Sequence, residues 1–396
     1  KRKLSFTQTG MDTHYTYGEK YETGDGENGG IRTTLTVENI VAPDQSSFEF
    51  EISITAGDSK NTELATIRWT SSNGNPIVTI TENTTQISVS TPYWTEVRNN
   101  KSESDKKYTV GNASNGKAYG ATFVVMYKMA KTYNVKISKI SDTKNYQIDT
   151  RTHTLTVERR SLTLALNPTS IQFDNNTHTA TWTIQGTSGK EGILSTDSVF
   201  TVLSQFAPKV YAKLGDGTDV VTYSEDWTTV ADSGNSAIEI NDGSTVVAKF
   251  EVSGNTIKLT MAKDVGEYYI VFGAPSDNCN YKFGARNASY TSPKFTISIN
   301  TLTLSWSTNA AVGYHTYDAT TKGRIIATIE AKYDIINYQA FLLEYFNQYL
   351  DGKKLDSKVT PSVNGNTATI TFETSSFDAD KYSAKLEYSG SVLLRN

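Results

Sequence analysis

Short runs of alternating apolar and polar residues fill this chain, and at two places two such runs follow each other directly in opposite phase. In "HTLTVERRSLTLAL", from position 153, Leu155 and Val157 are odd-numbered whereas Leu162 is even-numbered. In "KFTISINTLTLSW", from position 294, odd-numbered apolar residues again precede even-numbered ones: Phe295, Ile297 and Ile299, then Leu302, Leu304 and Trp306. Because side chains alternate between the faces of a strand, each change of phase predicts that the last strand of one β-sandwich runs directly into the first strand of the next.

The composition agrees with an all-β protein. Hydrophobic residues make up 37% and charged residues 20% of the 396 positions, with 23 Tyr, 15 Phe and 8 Pro, which is typical of a globular chain rich in strand formers. The net charge of -4 gives no electrostatic footprint for nucleic acid. A single cysteine, Cys279, excludes an intrachain disulfide. The longest apolar run, "ATFVVMY", is too short to span a bilayer, so no transmembrane segment is predicted.

Repeated motifs indicate the domain boundaries. "SDTKNYQI" at position 141 matches "SDNCNYKF" at position 276, and each copy precedes one of the changes of phase. A third change appears in "TTLTVENIV", where Leu35 and Val37 share one phase and Ile40 has the other. The sequence therefore predicts a strand segment over 1–38 and three domains over 39–160, 161–300 and 301–396, joined end to end without flexible linkers.

A carboxylate and tyrosine motif occurs in two of these domains. "DVGEY" runs from Asp264 to Tyr268 and "DADKY" from Asp378 to Tyr382, and Tyr133 is a weaker counterpart without the aspartate. A catalytic pair would need a nucleophile, base or metal nearby, and copying it to one position in successive domains is not typical of catalysis. We interpret the motif as structural.

The motifs of the last domain resemble an immunoglobulin-like sandwich. "YFNQYLDGKKL" is similar to a C strand, an Asp-Gly turn and a C′ strand, "NGNTATITF" to strand E, and "DADKYSAKLEY" to the E–F corner and strand F. The resemblance implies tandem immunoglobulin-like Greek-key sandwiches and a tyrosine corner at Tyr133, Tyr268 and Tyr382, whose hydroxyls bond back to the backbone. Where antibody domains carry a cysteine two residues later, this chain has Val135, Ile270 and Ala384, so packing replaces the disulfide.

The segment "YDIINYQAFLLEYFNQYLDG", from position 333, has two interpretations. It could form a helix with Gly352 as its C-cap. Its aromatic content and the immunoglobulin-like frame favour strands.

No catalytic or metal-binding motif is evident. The four histidines show no paired metal-ligand spacing, and no phosphate-binding loop or nucleophile elbow is present, so an enzyme is not expected. Three acidic, glycine-rich loops are weak calcium candidates through Asp25, Glu27, Asp216, Asp219 and Asp242. Hairpin turns are the favoured interpretation of these loops, and no other cofactor is expected.

Tandem chains of this kind resemble subunits of prokaryotic pili, S-layers and sheaths, adhesins, and phage appendages. The resemblance implies a non-enzymatic structural or adhesive protein, extracellular or on a cell surface, with a virion surface as the alternative. A homo-oligomer or polymer is the expected assembled form. A second class of function is a module that binds a glycan or a host surface through loops at the sandwich ends.

The two termini suggest how a polymer could form. "IRTTLTVE", with Thr34, Leu35 and Val37, resembles the last strands of the later domains, and "SGSVLLRN", with Val392 and Leu394, is shorter than those strands. The N-terminal segment of one subunit could therefore complete the last sandwich of its neighbour. The favoured alternative is that the C-terminal stub suffices as a short edge strand and that the N-terminal segment packs on its own first domain, because neighbouring elements usually pair locally.

Overall fold

The computed structural model describes residues 2–8, 14–18, 31–41, 48–57, 62–72, 75–90, 93–97, 107–108, 118–141, 143–144, 146–148, 152–186, 192–215, 220–227, 237–284, 287–308, 323–373 and 382–389. The chain forms two compact units. Unit 1 comprises 1–163, 186–205 and 274–288, and unit 2 comprises 164–185, 206–273 and 289–396. The described residues form strands with two short helices, so the all-β prediction is confirmed.

The first group of strands lies in unit 1. Its members are β1 (Arg2–Gln8), β2 (His14–Thr16), β3 (Ile31–Val41), β4 (Phe48–Ala56), β5 (Glu63–Ser72), β6 (Asn75–Glu82), β7 (Ile87–Val89), β8 (Tyr93–Val97), β9 (Lys107–Tyr108), β10 (Ala118–Tyr127), β11 (Thr132–Ile140), β12 (Tyr146–Ile148) and β13 (His153–Glu158). One sheet has the order β12-β1-β3-β10-β8-β9, with β7 also on β10, and the other has the order β2-β13-β11-β4-β5-β6.

The second group begins after one intervening residue. Its members are β14 (Arg160–Asn167), β15 (Ser170–Gln172), β16 (His178–Gly186), α1 (Val199–Ser204), β17 (Lys209–Leu214), β18 (Val221–Asp226), β19 (Ala237–Asp242), β20 (Thr245–Ser253), β21 (Thr256–Ala262), β22 (Gly266–Phe272), β23 (Tyr281–Phe283), β24 (Tyr290–Thr291) and β25 (Phe295–Ser298). In unit 2 the sheets have the orders β19-β20-β21-β16-β14 and β15-β25-β22-β17-β18, with β24 on β22. The first residues of β14 belong to unit 1, where they pair with β23.

The third group lies in unit 2 and is smaller. Its members are β26 (Leu302–Thr308), β27 (Arg324–Ala331), α2 (Tyr338–Tyr345), β28 (Phe346–Leu350), β29 (Lys353–Lys354), β30 (Ser362–Asn364), β31 (Thr367–Glu373) and β32 (Ala384–Tyr388). The sheets have the orders β26-β27-β31-β30 and β29-β28-β32 among the described residues.

Groups 1 and 2 share an uncommon pairing pattern. The first strand of each pairs in parallel with a short strand, β1 with β12 and β14 with β23. The second strand pairs in parallel with the last, β2 with β13 and β15 with β25. The repeated motif identified in the sequence forms β12 and β23, which begin with Tyr146 and Tyr281. The repeat therefore marks one position in two strand groups of the same design.

The structure corrects the predicted boundary at residue 38. β3 is continuous across it and has β1 on one edge and β10 on the other. The change of phase at Ile40 is a β-bulge: Val37 pairs with Ala121, but Ile40 pairs with Tyr119, so β3 contains one extra residue there. Strands β1 to β3 are the first three strands of group 1, equivalent to β14 to β16, and not a separate segment.

The segment from Tyr333 is part helix and part strand, so the prediction of strands throughout it is wrong. α2 covers Tyr338–Tyr345, where Tyr338, Phe341 and Leu342 are buried at helical spacing. Gly352 does not cap this helix. With Asp351 it forms the turn between β28 and β29, where both residues have positive φ, as a two-residue hairpin of the Asp-Gly type requires. The predicted hairpin is confirmed.

Candidate functional site

The residue between groups 1 and 2 is anchored within unit 1. The Arg159 guanidinium donates to the carbonyls of Cys279 and Ser276, at 2.9 and 2.8 Å. The neighbouring Arg160 is buried and donates from Nε to the Gly192 carbonyl at 2.9 Å. Hydrogen bonds from a charged donor are stronger than neutral ones, so these bonds hold Arg159 and Arg160 to residues 192 and 276–279 of the same unit.

A carboxylate shared by two tyrosines lies close by in unit 1. The Asp197 Oδ2 atom accepts from the hydroxyls of Tyr281 and Tyr17, at 2.5 and 3.2 Å. The two rings meet edge to face with centroids 5.6 Å apart. Burial, followed by the charge of Asp197, raises the pKa of Tyr17 to about 12. Both tyrosines therefore stay protonated as hydrogen-bond donors at neutral pH.

Unit 2 has a comparable anchor between groups 2 and 3. Asn300 is completely buried, and its Nδ2 atom donates to the carbonyls of Phe173 and Tyr333, each at 3.0 Å. Its Oδ1 atom accepts from the Tyr333 amide at 3.2 Å. One side chain thus satisfies three backbone groups, which fixes the segment before β26 against the end of β27.

The predicted corner tyrosines are placed as follows. The Tyr268 hydroxyl donates to the Asp264 carbonyl at 2.8 Å, and the Tyr133 hydroxyl donates to the Met129 carbonyl at 2.7 Å. In both cases the acceptor is four residues upstream and the ring is buried. Tyr382 is half-buried, and Asp378 lies outside the described residues. This geometry is that of a structural bond in which Asp264 contributes its backbone and not its carboxylate.

The calcium candidates are mostly beyond the described residues. Asp25, Glu27, Asp216 and Asp219 all lie there, as do the predicted assembly residues Val392 and Leu394. Asp242 ends β19 at a hairpin turn, and its carboxylate accepts a hydrogen bond from Tyr223. Within the described ranges, no group of three His, Cys, Asp or Glu side chains is arranged to hold a metal ion.

The predicted assembly residues of the N-terminal segment are interior. Leu35 and Val37 are fully buried, and they lie with Thr34 on β3, which is paired along both edges within unit 1. This arrangement is the favoured alternative, in which the N-terminal segment packs on its own first domain. A role of Thr34, Leu35 and Val37 in assembly stays a prediction.

Group 3 has an incompletely covered inner face. Leu162 and Leu164 on β14 are buried, whereas Leu304 and Trp306 on the equivalent strand β26 are 44% and 42% exposed. The Trp306 ring still contacts the buried Phe372 ring, with centroids 6.2 Å apart. Trp306 therefore faces the interior of group 3 and lacks a covering layer on one side.

The opposite sheet of group 3 differs from those of groups 1 and 2 in its described strands. In groups 1 and 2, β11 and β22 pair with the last strands β13 and β25, and each buries alternate side chains. The equivalent β32 pairs only with β28 in the described part of the chain, and none of its five residues is fully buried. No strand among the described residues pairs with β32 at the place that β13 and β25 take in groups 1 and 2. We name the surface formed by Leu304 and Trp306 the open side.

A second feature is a cleft of about 580 Å³ in unit 2, which sequence reasoning missed. Its lining includes Lys213 from β17, Glu267 from β22 and Thr296 from β25, together with Lys332 and Tyr333 after β27. These residues come from four separate stretches of the chain and form no motif, so no local signal in the sequence points to the cleft. Neither helix in the described ranges is long and apolar enough to cross a membrane.

Comparisons with known proteins add little to this description. No family model matches the chain. No curated protein sequence matches it either. Among solved structures, a chain titled "Marsupial T cell receptor" aligns with 98% of this chain over 98% of its own length, at 9% sequence identity and a TM-score of 0.22. The chain is an all-β protein whose several sheets are consistent with multiple β-sandwich domains.

Proposed function

We propose that this chain is a non-enzymatic structural or adhesive protein of an extracellular or cell-surface assembly, in which a second copy supplies a β-strand to the open side. Its strand groups are immunoglobulin-like sandwiches in tandem. The sheet orders β26-β27-β31-β30 and β29-β28-β32 support this, because they correspond to the ABED and C′CF arrangements of that fold.

The exposure of Leu304 and Trp306 carries the proposal. These two large apolar side chains are 44% and 42% exposed on an inward-facing surface, whereas the equivalent side chains of group 2 are buried in the core. Fully burying such side chains contributes roughly 1.5–3 kcal/mol each. A strand placed along β32, as β13 and β25 are placed along β11 and β22, would cover them.

The chemistry of the added strand follows from the two last strands that fill this place elsewhere. β13 buries Leu155 and Val157, and β25 buries Phe295 and Ile297, in each case two residues apart. Both strands run antiparallel to their neighbours β11 and β22. The donor segment therefore needs an apolar-x-apolar pattern and an antiparallel orientation to β32.

A second copy is the donor that we favour because the exposed face of β26 has no charge to select a different partner. The sequence of β26, "LTLSWST", contains no charged residue and no proline. The edge strand β18 carries Glu225 and Asp226, β19 carries Glu239 and Asp242, and β29 is Lys353–Lys354. Charged edges resist pairing between chains, and β26 lacks this protection. β32, along which the donor strand would lie, carries Lys385 and Glu387, which pair with each other at 2.8 Å.

The experiment measures assembly size by light scattering for the full chain and for the double variant Leu304→Ser, Trp306→Ser. We expect concentration-dependent assemblies from the unchanged chain and monomers from the variant. Ile77→Ser is the matched control, because Ile77 is 59% exposed on β6 and belongs to unit 1, whereas the open side belongs to unit 2. A peptide of residues 293–300, which contains β25, should bind the unchanged monomer and not the double variant.

The proposal would be overturned if the unchanged chain stayed monomeric at every concentration and did not bind the peptide. Equal assembly by the unchanged chain and the double variant would overturn it as well. Far-ultraviolet circular dichroism of both chains checks that the double variant is folded.

A further inference from the structure

We propose that the cleft in unit 2 binds an acidic glycan, a chain of sugars that bear carboxylates. This inference concerns ligand binding and not assembly. It does not depend on the open side, because the residues that line the cleft all lie between positions 172 and 333 and do not include Leu304 or Trp306. No residue of the open side lines it.

The charge of the cleft is the first observation. Lys213 and Lys332 line it, and neither has a carboxylate within ion-pair distance among the described residues. Among the described residues of the lining, Glu267 is the one acidic side chain, and it pairs with Lys294 at 2.8 Å. Two lysines without a carboxylate partner in the described part of the chain therefore face the cleft of a protein whose net charge is -4, which favours a ligand with negative groups.

An exposed aromatic ring is the second observation. Tyr333 is 38% exposed at the cleft, and the Lys332 Nζ atom lies 5.3 Å from the centroid of the Tyr333 ring. The Tyr333 backbone is fixed by the buried Asn300. Exposed rings on a fixed backbone present an apolar face with a polar tip, which suits the flat face of a sugar ring beside its hydroxyls.

The sheet surface beside the cleft continues the same chemistry. Tyr211 and Tyr269 are opposite each other on β17 and β22, and their rings stack with centroids 5.1 Å apart and an angle of 5°. Tyr211 is two residues from Lys213, and Tyr269 is two residues from Glu267, so all four side chains share one face of the sheet. A polymeric ligand that fills the cleft can therefore extend along this face.

Hydrogen-bonding groups complete the site. Gln172, Thr296, Ser298 and Thr301 all line the cleft, and their side chains offer both donors and acceptors to sugar hydroxyls. A neutral sugar would leave the two lysines without a counter-charge, whereas an isolated inorganic anion would leave the hydroxyls and the Tyr333 ring unused. The combination favours a uronic acid oligomer.

The experiment titrates the full chain with tetragalacturonate by calorimetry, with maltotetraose as the neutral comparison. We expect binding of tetragalacturonate that weakens as salt rises, because the lysine contribution is screened. Lys213→Gln with Lys332→Gln should weaken binding at least about tenfold, and Tyr333→Ala about threefold or more, by loss of ion pairing and of stacking. Lys258→Gln is the matched control, since Lys258 is an exposed lysine of unit 2 on β21 and is not in the lining.

Absence of binding to tetragalacturonate would overturn the inference. So would equal binding of maltotetraose, or an equal loss in Lys258→Gln and in the double variant. Unfolding curves of each variant separate a lost site from a lost fold, and the Leu304→Ser, Trp306→Ser protein should bind the oligomer normally.

Discussion

Asn300 and Tyr333 hold each other by two hydrogen bonds, one from the Asn300 amide to the Tyr333 carbonyl at 3.0 Å and one from the Tyr333 amide to Asn300 Oδ1 at 3.2 Å. Asn300→Ala would remove both, together with the bond to the Phe173 carbonyl. Buried polar groups left unsatisfied cost about 1–3 kcal/mol each. We expect the free energy of unfolding to fall by about 3 kcal/mol in urea titrations, against a change below about 0.5 kcal/mol for the exposed Asn241→Ala.

Tyr268→Phe tests the bond from the Tyr268 hydroxyl to the Asp264 carbonyl. The ring stays in the core, and only a hydrogen bond of 2.8 Å is lost. We expect a loss of about 1 kcal/mol in the free energy of unfolding. Tyr211→Phe is the control, because the Tyr211 ring is half-buried on the outer face of its sheet. An equal effect of the two substitutions would contradict a structural role for the Tyr268 hydroxyl.

Gly266→Ala tests why glycine stands at the centre of the "DVGEY" motif. Gly266 has a φ of +154°, and a Cβ atom there would lie 2.4 Å from the Lys213 carbonyl oxygen. Strain of this kind and overpacking each cost about 1–3 kcal/mol, so we expect the free energy of unfolding to fall by about 3 kcal/mol or more. Gly254→Ala, at a turn with open space around it, should cost only about 1–2 kcal/mol.

Alkaline pH should destabilise unit 1 through Tyr17. Burial raises its pKa from 10 to about 12, so the folded state holds the proton more tightly than the unfolded state. The resulting stability is fully present below pH 10 and is lost as the pH rises toward 12. We expect Tyr17→Phe to flatten the fall in melting temperature over this range. A fall of the same steepness in both proteins would count against the assignment.

Strand alternation could be predicted from the sequence because it depends only on local periodicity. The hairpin at Asp351 was predictable for the same reason, since two adjacent residues decide the turn. The helix α2 was misjudged because its aromatic residues favour strands locally, while burial of Phe341 against Phe173, 6.0 Å away, decides the outcome. The cleft around Lys213 and Lys332 depends on residues that meet only in space, and no short window of sequence contains it.

The extra residue in β3 also has a mechanical consequence. Val37 pairs with Ala121 and Ile40 pairs with Tyr119, so three steps along β3 correspond to two steps along β10. A shift of β3 along β10 by one residue would place Thr34 and Thr36 where Leu35 and Val37 are buried. It would also move the bulge away from the residues of β10 that it faces. The bulge therefore fixes the register of β3, a strand of eleven residues, against its neighbouring strands.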